Sequence, residues 1–144
     1  QGCKALEEVT LPNKIETMGA KAFQDSGLKS IVIPGTLKVV KDQAFYNCSA
    51  LKSVTINSGV TEIAYSAFSK SGIEEIDLPE SVTEYSGAFS ECESLTKLTI
   101  RCKTPCGLYG LPDSLKTIYV PSDALEAFKE ESPDYADRFF AIEE

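Results

Sequence analysis

The sequence predicts an α/β repeat protein: a solenoid of about five stacked coils, with a parallel sheet along one face and a helical closure at the C-terminal end. Three observations predict it. The stretch Leu28-Lys29-Ser30-Ile31-Val32-Ile33-Pro34 recurs in altered form from Leu6, Leu51, Ile73, Leu95 and Leu115, at spacings of 22, 23, 22, 22 and 20 residues. An Ala-Phe pair recurs once per repeat, at Ala22-Phe23, Ala44-Phe45, Ala67-Phe68 and Ala88-Phe89. Pro12, Pro34, Pro79 and Pro121 end four of the recurring stretches, where a missing N–H stops a ladder.

The first, fourth and sixth positions of each copy are apolar: Leu6/Val9/Leu11, Leu28/Ile31/Ile33, Leu51/Val54/Ile56, Ile73/Ile76/Leu78, Leu95/Leu98/Ile100 and Leu115/Ile118/Val120. The last two of each set alternate with polar neighbours and are mostly β-branched, as in a half-buried strand. The expectation is one sheet of parallel strands. A second apolar pair follows, at Ile15/Met18, Leu37/Val40, Val60/Ile63 and Val82/Tyr85. The four phenylalanines then stack in register, each burying on the order of 150–250 Å². The fourth repeat is one residue shorter between Val82 and Phe89 than the third is between Val60 and Phe68, so a tighter turn or bulge is expected there.

The fifth repeat loses the apolar pair and the Ala-Phe. In their place runs an irregular loop from Arg101 to Pro112, with two glycines and two prolines. Residues 122–144 then close the stack. Ser122 or Asp123 is the expected N-cap of a short helix, Leu125 and Phe128 its apolar face, and Ser132-Pro133 its end. Tyr135, Phe139, Phe140 and Ile142 are expected to cover the core beyond it. Residues 1–121 therefore read as repeats, with strand starts near 6, 28, 51, 73, 95 and 115. Gly2-Cys3-Lys4-Ala5-Leu6 aligns with Asn47-Cys48-Ser49-Ala50-Leu51, so the chain opens within a repeat and is expected to be the C-terminal part of a longer array.

At 144 residues and 42% hydrophobic content the chain can build one core. Its net charge is −8, of which residues 122–144 supply −6, with eight acids against Lys129 and Arg138. An acidic chain without a basic stripe is a poor partner for nucleic acid. No apolar run approaches the roughly 18 residues of a membrane-spanning helix. The sequence contains no histidine, which excludes a Ser-His-Asp triad, a Cys-His pair and histidine metal sites. It also has no glycine-rich phosphate loop, so no cofactor is expected.

Three of the five cysteines, Cys3, Cys48 and Cys92, share one column three residues before a strand, with Ser26 and Ser71 near that place in the intervening repeats. At a strand spacing of roughly 4.8 Å, cysteines two coils apart lie beyond the roughly 7 Å reach of a disulfide. They read as packed thiols. Cys102 and Cys106 are close enough in sequence to bridge, and the spacing leaves both the dithiol and the disulfide open.

The pattern quoted by Leu28 to Ala50 and by Leu51 to Gly72 resembles the BspA-type leucine-rich repeat family, over almost all of residues 3 to 121. The terminus is similar too, with Tyr119-Val120-Pro121 followed by a short helix and an aromatic-rich tail. The resemblance implies a right-handed leucine-rich-repeat solenoid that is exported or displayed at the cell surface. It also implies a non-catalytic, adhesion-type interaction module binding a host or self protein. It transfers no binding residues, because the shared motif is almost wholly core.

Binding is therefore expected on the outward strand positions. They form two rows: Glu8, Ser30, Ser53, Glu75, Lys97 and Thr117, then Thr10, Val32, Thr55, Asp77, Thr99 and Tyr119. A third row runs Glu7, Lys29, Lys52, Glu74, Thr96 and Lys116. Glu75 and Asp77 form the best carboxylate pair, and paired acids on a solvated sheet are usually surface charge. A broad, hydroxyl-rich face suits an extended polypeptide partner. Alternative readings are a spacer displaying another domain, and a glycan-binding module. The second is disfavoured because Tyr119 is the single aromatic platform in these rows.

Overall fold

The computed structural model describes residues 2–143; Gln1 and Glu144, the outer ends of the two expected segments, lie outside the described residues. Strands follow the recurring stretch: β1 (Ser30–Ile33), β3 (Ser53–Ile56), β5 (Glu75–Leu78), β6 (Lys97–Ile100) and β7 (Thr117–Val120). Two-residue strands β2 (Val39–Val40) and β4 (Glu62–Ile63) form a second, parallel ribbon at the position of the second apolar pair. The chain ends in a 3-10 turn (Ser122–Ala124), helix α1 (Leu125–Glu131), a 3-10 stretch (Pro133–Arg138) and strand β8 (Phe139–Ala141). All strand pairs are parallel and in register, Ile31 beside Val54, Ile76 beside Leu98 and Leu98 beside Ile118. That register stacks like side chains into inward columns.

Behind the strands the phenylalanines form one ladder. Neighbouring ring centroids lie 5.3, 5.1 and 5.9 Å apart from Phe23 to Phe89, and interplanar angles stay at 8° or less. Phe45, Phe68 and Phe89 are buried, whereas Phe23 is half-buried. The backbone around each ring is unusual. The residues two before and two after each phenylalanine have positive φ: Lys21/Asp25, Gln43/Asn47, Ser66/Lys70 and Gly87/Glu91. A left-handed residue with a side chain costs roughly 1–2 kcal/mol. The cost is offset because this tight path lets each phenylalanine N–H donate to the alanine carbonyl of the next repeat, from Phe23 to Ala44, Phe45 to Ala67 and Phe68 to Ala88, at 2.8–3.0 Å.

The expected single sheet is split. Residues 7–11 form no strand, and β3 and β5 share no ladder, so β1–β3 and β5–β6–β7–β8 are separate sheets. The breaks follow the length of the connection from ring to strand. It spans five residues from Phe23 to Leu28 and from Phe68 to Ile73, but six from Phe45 to Leu51 and from Phe89 to Leu95. Strands entered by the longer connection, β3 and β6, take up a full ladder with the strand before them. The shorter connections carry Ser26-Gly27 and Ser71-Gly72. Their glycine N–H groups bond back to the preceding turn, Gly27 to the Cys3 carbonyl at 3.2 Å and Gly72 to the Cys48 carbonyl at 3.4 Å. Contact with the preceding repeat is thus made mainly at the turn, joined before β1 by Lys29 N–H on the Glu7 carbonyl at 3.1 Å, and the strand that follows does not continue the ladder.

Three smaller expectations change. Ser122 and Asp123 do not cap α1 with a side chain; Ala124 holds that place, and Asp123 pairs with Lys103 at 2.6 Å. Phe140 does not cover the core: β8 alternates, with Phe139 turned in against Phe128 at 5.8 Å and Phe140 turned out. Cys3 is exposed, unlike the buried Cys48 and Cys92. The missing residue of the fourth repeat is absorbed between Tyr85 and Gly87. There Ser66 N–H donates to Gly87, one place later in the motif than Gln43 N–H does on Tyr65.

Candidate binding face

Strand alternation places the outward residues as the pattern requires. Ser30, Val32, Ser53, Thr55, Glu75 and Asp77 are exposed on β1, β3 and β5. Glu8 and Thr10 are exposed as well, although no strand carries them. Lys97, Thr117 and Tyr119 are half-buried on β6 and β7. Thr99 is a correction: it is only 8% exposed and offers nothing to a partner. It lies between Asp77 of β5 and Tyr119 of β7 in register.

Most charges on this face are paired across repeats. Lys29 meets Glu7 at 2.7 Å, Lys52 meets Glu74 at 3.3 Å and Lys97 meets Glu75 at 3.5 Å. Arg101 grips Asp77 with Nε and Nη2 at 2.7 and 2.6 Å, a two-point match of guanidinium to carboxylate. Hydrogen bonding to Glu7 raises the Lys29 pKa, and hydrogen bonding to Asp77 raises that of Arg101. Glu75 and Asp77 are therefore rungs of an ion-pair ladder, each engaged by a cation from further along the chain, and do not act as a carboxylate couple. Among the described residues no group of three or more Cys, Asp or Glu is arranged to hold a metal ion, and no helix is long and apolar enough to cross a membrane.

Where the sheet lapses, the face opens into two homologous clefts. One, of about 320 Å³, lies between residues 8–11 and β1; the other, of about 330 Å³, lies between β3 and β5. Val9, Thr10 and Leu11 on one wall of the first correspond to Val54, Thr55 and Ile56 of the second. Opposite them, Val32 and Pro34 correspond to Asp77 and Pro79. The first cleft is edged by Val32, 53% exposed; the second is lined on one side by the Asp77–Arg101 pair. Spacing of apolar residues could not reveal either cleft, since both arise from a one-residue difference in the connections.

Beyond β7 the face is extended by β8. Phe140 is 48% exposed and stands beside Tyr119 in register, with ring centroids 6.3 Å apart; Lys97 lies over the other side of Tyr119 at 5.7 Å. Phe140 was the residue missed, and the signal for it was the in-out alternation of Phe139-Phe140-Ala141.

The pattern of the BspA type leucine rich repeat region matches residues 1–96, in six copies. Two solved structures are similar in fold. One is a leucine-rich repeat protein from Bacteroides ovatus ATCC 8483, at 25% identity and TM-score 0.59, covering 87% of this chain and 42% of its own. The other is a leucine rich cell surface protein from Faecalibacterium prausnitzii A2-165, at 25% identity and TM-score 0.62, covering 95% of this chain and 32% of its own. The chain thus spans less than half the length of either. No curated protein matches it significantly.

Proposed function

The chain belongs to the BspA-type leucine-rich repeat family, and on that premise we propose that it is a non-catalytic interaction module, secreted or displayed at a cell surface, that binds a host or self protein through its strand face. In this reading residues 1–121 form a right-handed stack of about five coils, and residues 122–144 close its end. The observation that supports the reading is the largely neutralised face. With most of its charges held in ion pairs, it offers a partner the hydroxyls of Ser30, Ser53 and Thr55, the apolar Val32 and two clefts. Such a surface favours a polypeptide recognised by hydrogen bonds and fit, with modest dependence on salt.

The test is binding of the protein to a panel of immobilised extracellular-matrix proteins, compared with Val32→Arg and Thr55→Arg variants whose fold is checked by circular dichroism. Both substitutions fill the clefts from exposed positions. Loss of binding by tenfold or more is expected, about 1.4 kcal/mol. A partner that binds both variants like the parent protein does not use this face.

One observation favours a second reading. Tyr119 and Phe140 make two adjacent aromatic surfaces where one was expected, which suits stacking against a sugar ring. Under this reading Phe140→Ala abolishes retention of the protein on immobilised glycans while Val32→Arg leaves it intact.

A further inference from the structure

The loop that replaces the fifth Ala-Phe carries two thiols four residues apart, and Cys106 lines one depression with Tyr85 and Ser86 of the fourth repeat. Tyr85 of the fourth repeat sits in a column that is aliphatic elsewhere, and its hydroxyl is buried without a hydrogen bond of ordinary length and angle. The thiols of Cys102 and Cys106 are the groups that bear on that hydroxyl. Cys102 is 2% exposed, its thiol turned to the Thr104 carbonyl at 3.4 Å. Cys106 is half-buried, 3.0 Å from the Ser86 hydroxyl, and lines a depression of about 320 Å³ with Glu62, Tyr65 and Glu84. The remaining buried thiols, Cys48 and Cys92, lie two repeats apart in the turn column, each bonded within its own site.

We propose that Cys102 and Cys106 are a dithiol clasp that closes to a disulfide by exchange with a small disulfide entering through the Cys106 depression. Cys106, as thiolate, attacks one sulfur of the reagent RSSR; a mixed disulfide forms and one RS⁻ leaves. Cys102 then gives up its proton and attacks the Cys106 sulfur, the protein disulfide forms, and the second RS⁻ leaves. In sum, two protein thiols and RSSR become one protein disulfide and two RSH, the reagent being reduced. The order follows from access, since Cys106 borders solvent and burial pushes the Cys102 thiol above its ordinary pKa. Glu62 and Glu84 at the rim select an uncharged or cationic reagent over an anionic one. Closure pins a loop whose Tyr109 ring already packs against Gly87, at 2.7 Å from where a Cβ would stand.

The experiment treats the folded protein with cystamine or with oxidised glutathione. The reaction is quenched in acid, the chain unfolded and alkylated, and the peptides mapped. Cystamine is expected to yield a Cys102–Cys106 cross-link, with Cys48 and Cys92 recovered alkylated, and to act faster than oxidised glutathione at equal concentration. In Cys102→Ser the cystamine adduct is expected to remain on Cys106. A persistent adduct on Cys106 of the unmutated protein, or no reaction before unfolding, overturns the clasp. Equal rates for the two reagents overturn the depression as the point of entry.

Discussion

The Phe23 carbonyl oxygen accepts the thiol proton of Cys48 at 3.0 Å, across one full repeat, and Phe68 stands to Cys92 in the same relation at 3.0 Å. Each sulfur also lies beside a serine of the preceding repeat, Ser26 at 3.3 Å and Ser71 at 3.5 Å. Cysteine and serine thus alternate in one polar seam that ties the Phe23 and Phe68 rungs to the turn of the following repeat.

The seam predicts a graded response at Cys48. Cys48→Ala removes one of the two donors to the Phe23 carbonyl, leaving the Ser26 N–H at 3.2 Å, and opens a small void, and is expected to cost about 2 kcal/mol. Cys48→Ser keeps a donor of similar size and is expected to cost less than half as much. Urea unfolding of both variants checks this; equal losses would show that packing alone, without the hydrogen bond, sets the value of the site.

The short connections predict a contrast between two glycines. A Cβ on Gly72 would stand 2.3 Å from the Ser49 carbonyl oxygen, with backbone on both sides of the contact. Gly72→Ala is expected to cost more than about 2 kcal/mol and to loosen the Gly72–Cys48 hydrogen bond. A Cβ on Gly19 meets nothing within 4 Å, so Gly19→Ala is expected to raise stability by roughly 0.5 kcal/mol, by restricting the unfolded chain. Thermal unfolding of the pair decides the matter.

That contrast marks how far the sequence could be read. The inward columns and the phenylalanine ladder were legible, because burial repeats with the chain and each rung carries its own apolar residue. Whether neighbouring strands share a ladder was not. It depends on five against six residues in a turn, a difference too small to disturb the apolar pattern yet large enough to split the sheet. On the face, outward direction was legible from alternation alone. The pairing of Asp77 with Arg101 and the shielding of Thr99 were not, because they depend on which long side chains lie beside one another across strands. Phe140 was assigned to the core on its hydrophobicity, whereas its register beside Tyr119 turns it outward.

Tyr85 predicts an alkaline limit to stability. Burial, with the Cys102 and Cys106 thiols beside it, holds the phenol neutral far above its ordinary value, and burial likewise raises Cys48, Cys92 and Cys102. For such acids the folded state keeps protons that the unfolded chain releases, so their contribution is fully present below the unfolded pKa values. It is lost as pH climbs above about 9, where the unfolded thiols and then the phenol ionise. Tyr85→Phe deletes a buried hydroxyl that makes no hydrogen bond of ordinary length and angle. It is expected to leave stability at neutral pH unchanged or slightly higher, and to flatten its decline between about pH 10 and 11. Urea midpoints across pH for both proteins are the measurement; parallel curves would remove Tyr85 from the account.

The ladder itself predicts that position along the stack sets the cost of losing a rung. Phe68 is buried between Phe45 at 5.1 Å and Phe89 at 5.9 Å, so truncation removes two ring contacts and opens a void closed on both sides. Phe68→Ala is expected to cost about 3–5 kcal/mol. Phe23 stacks on Phe45 at 5.3 Å and is half-buried, so its truncation gives up one ring contact and a partly open space. Phe23→Ala should cost roughly half as much. Both rings stack on Phe45, so the two losses are expected to couple in the double variant and depart from simple addition by about 0.5 kcal/mol or more. Unfolding free energies that rank Phe23 with Phe68 would mean that stability is not set by burial along the ladder, and the core would have to be sought in the strand columns instead.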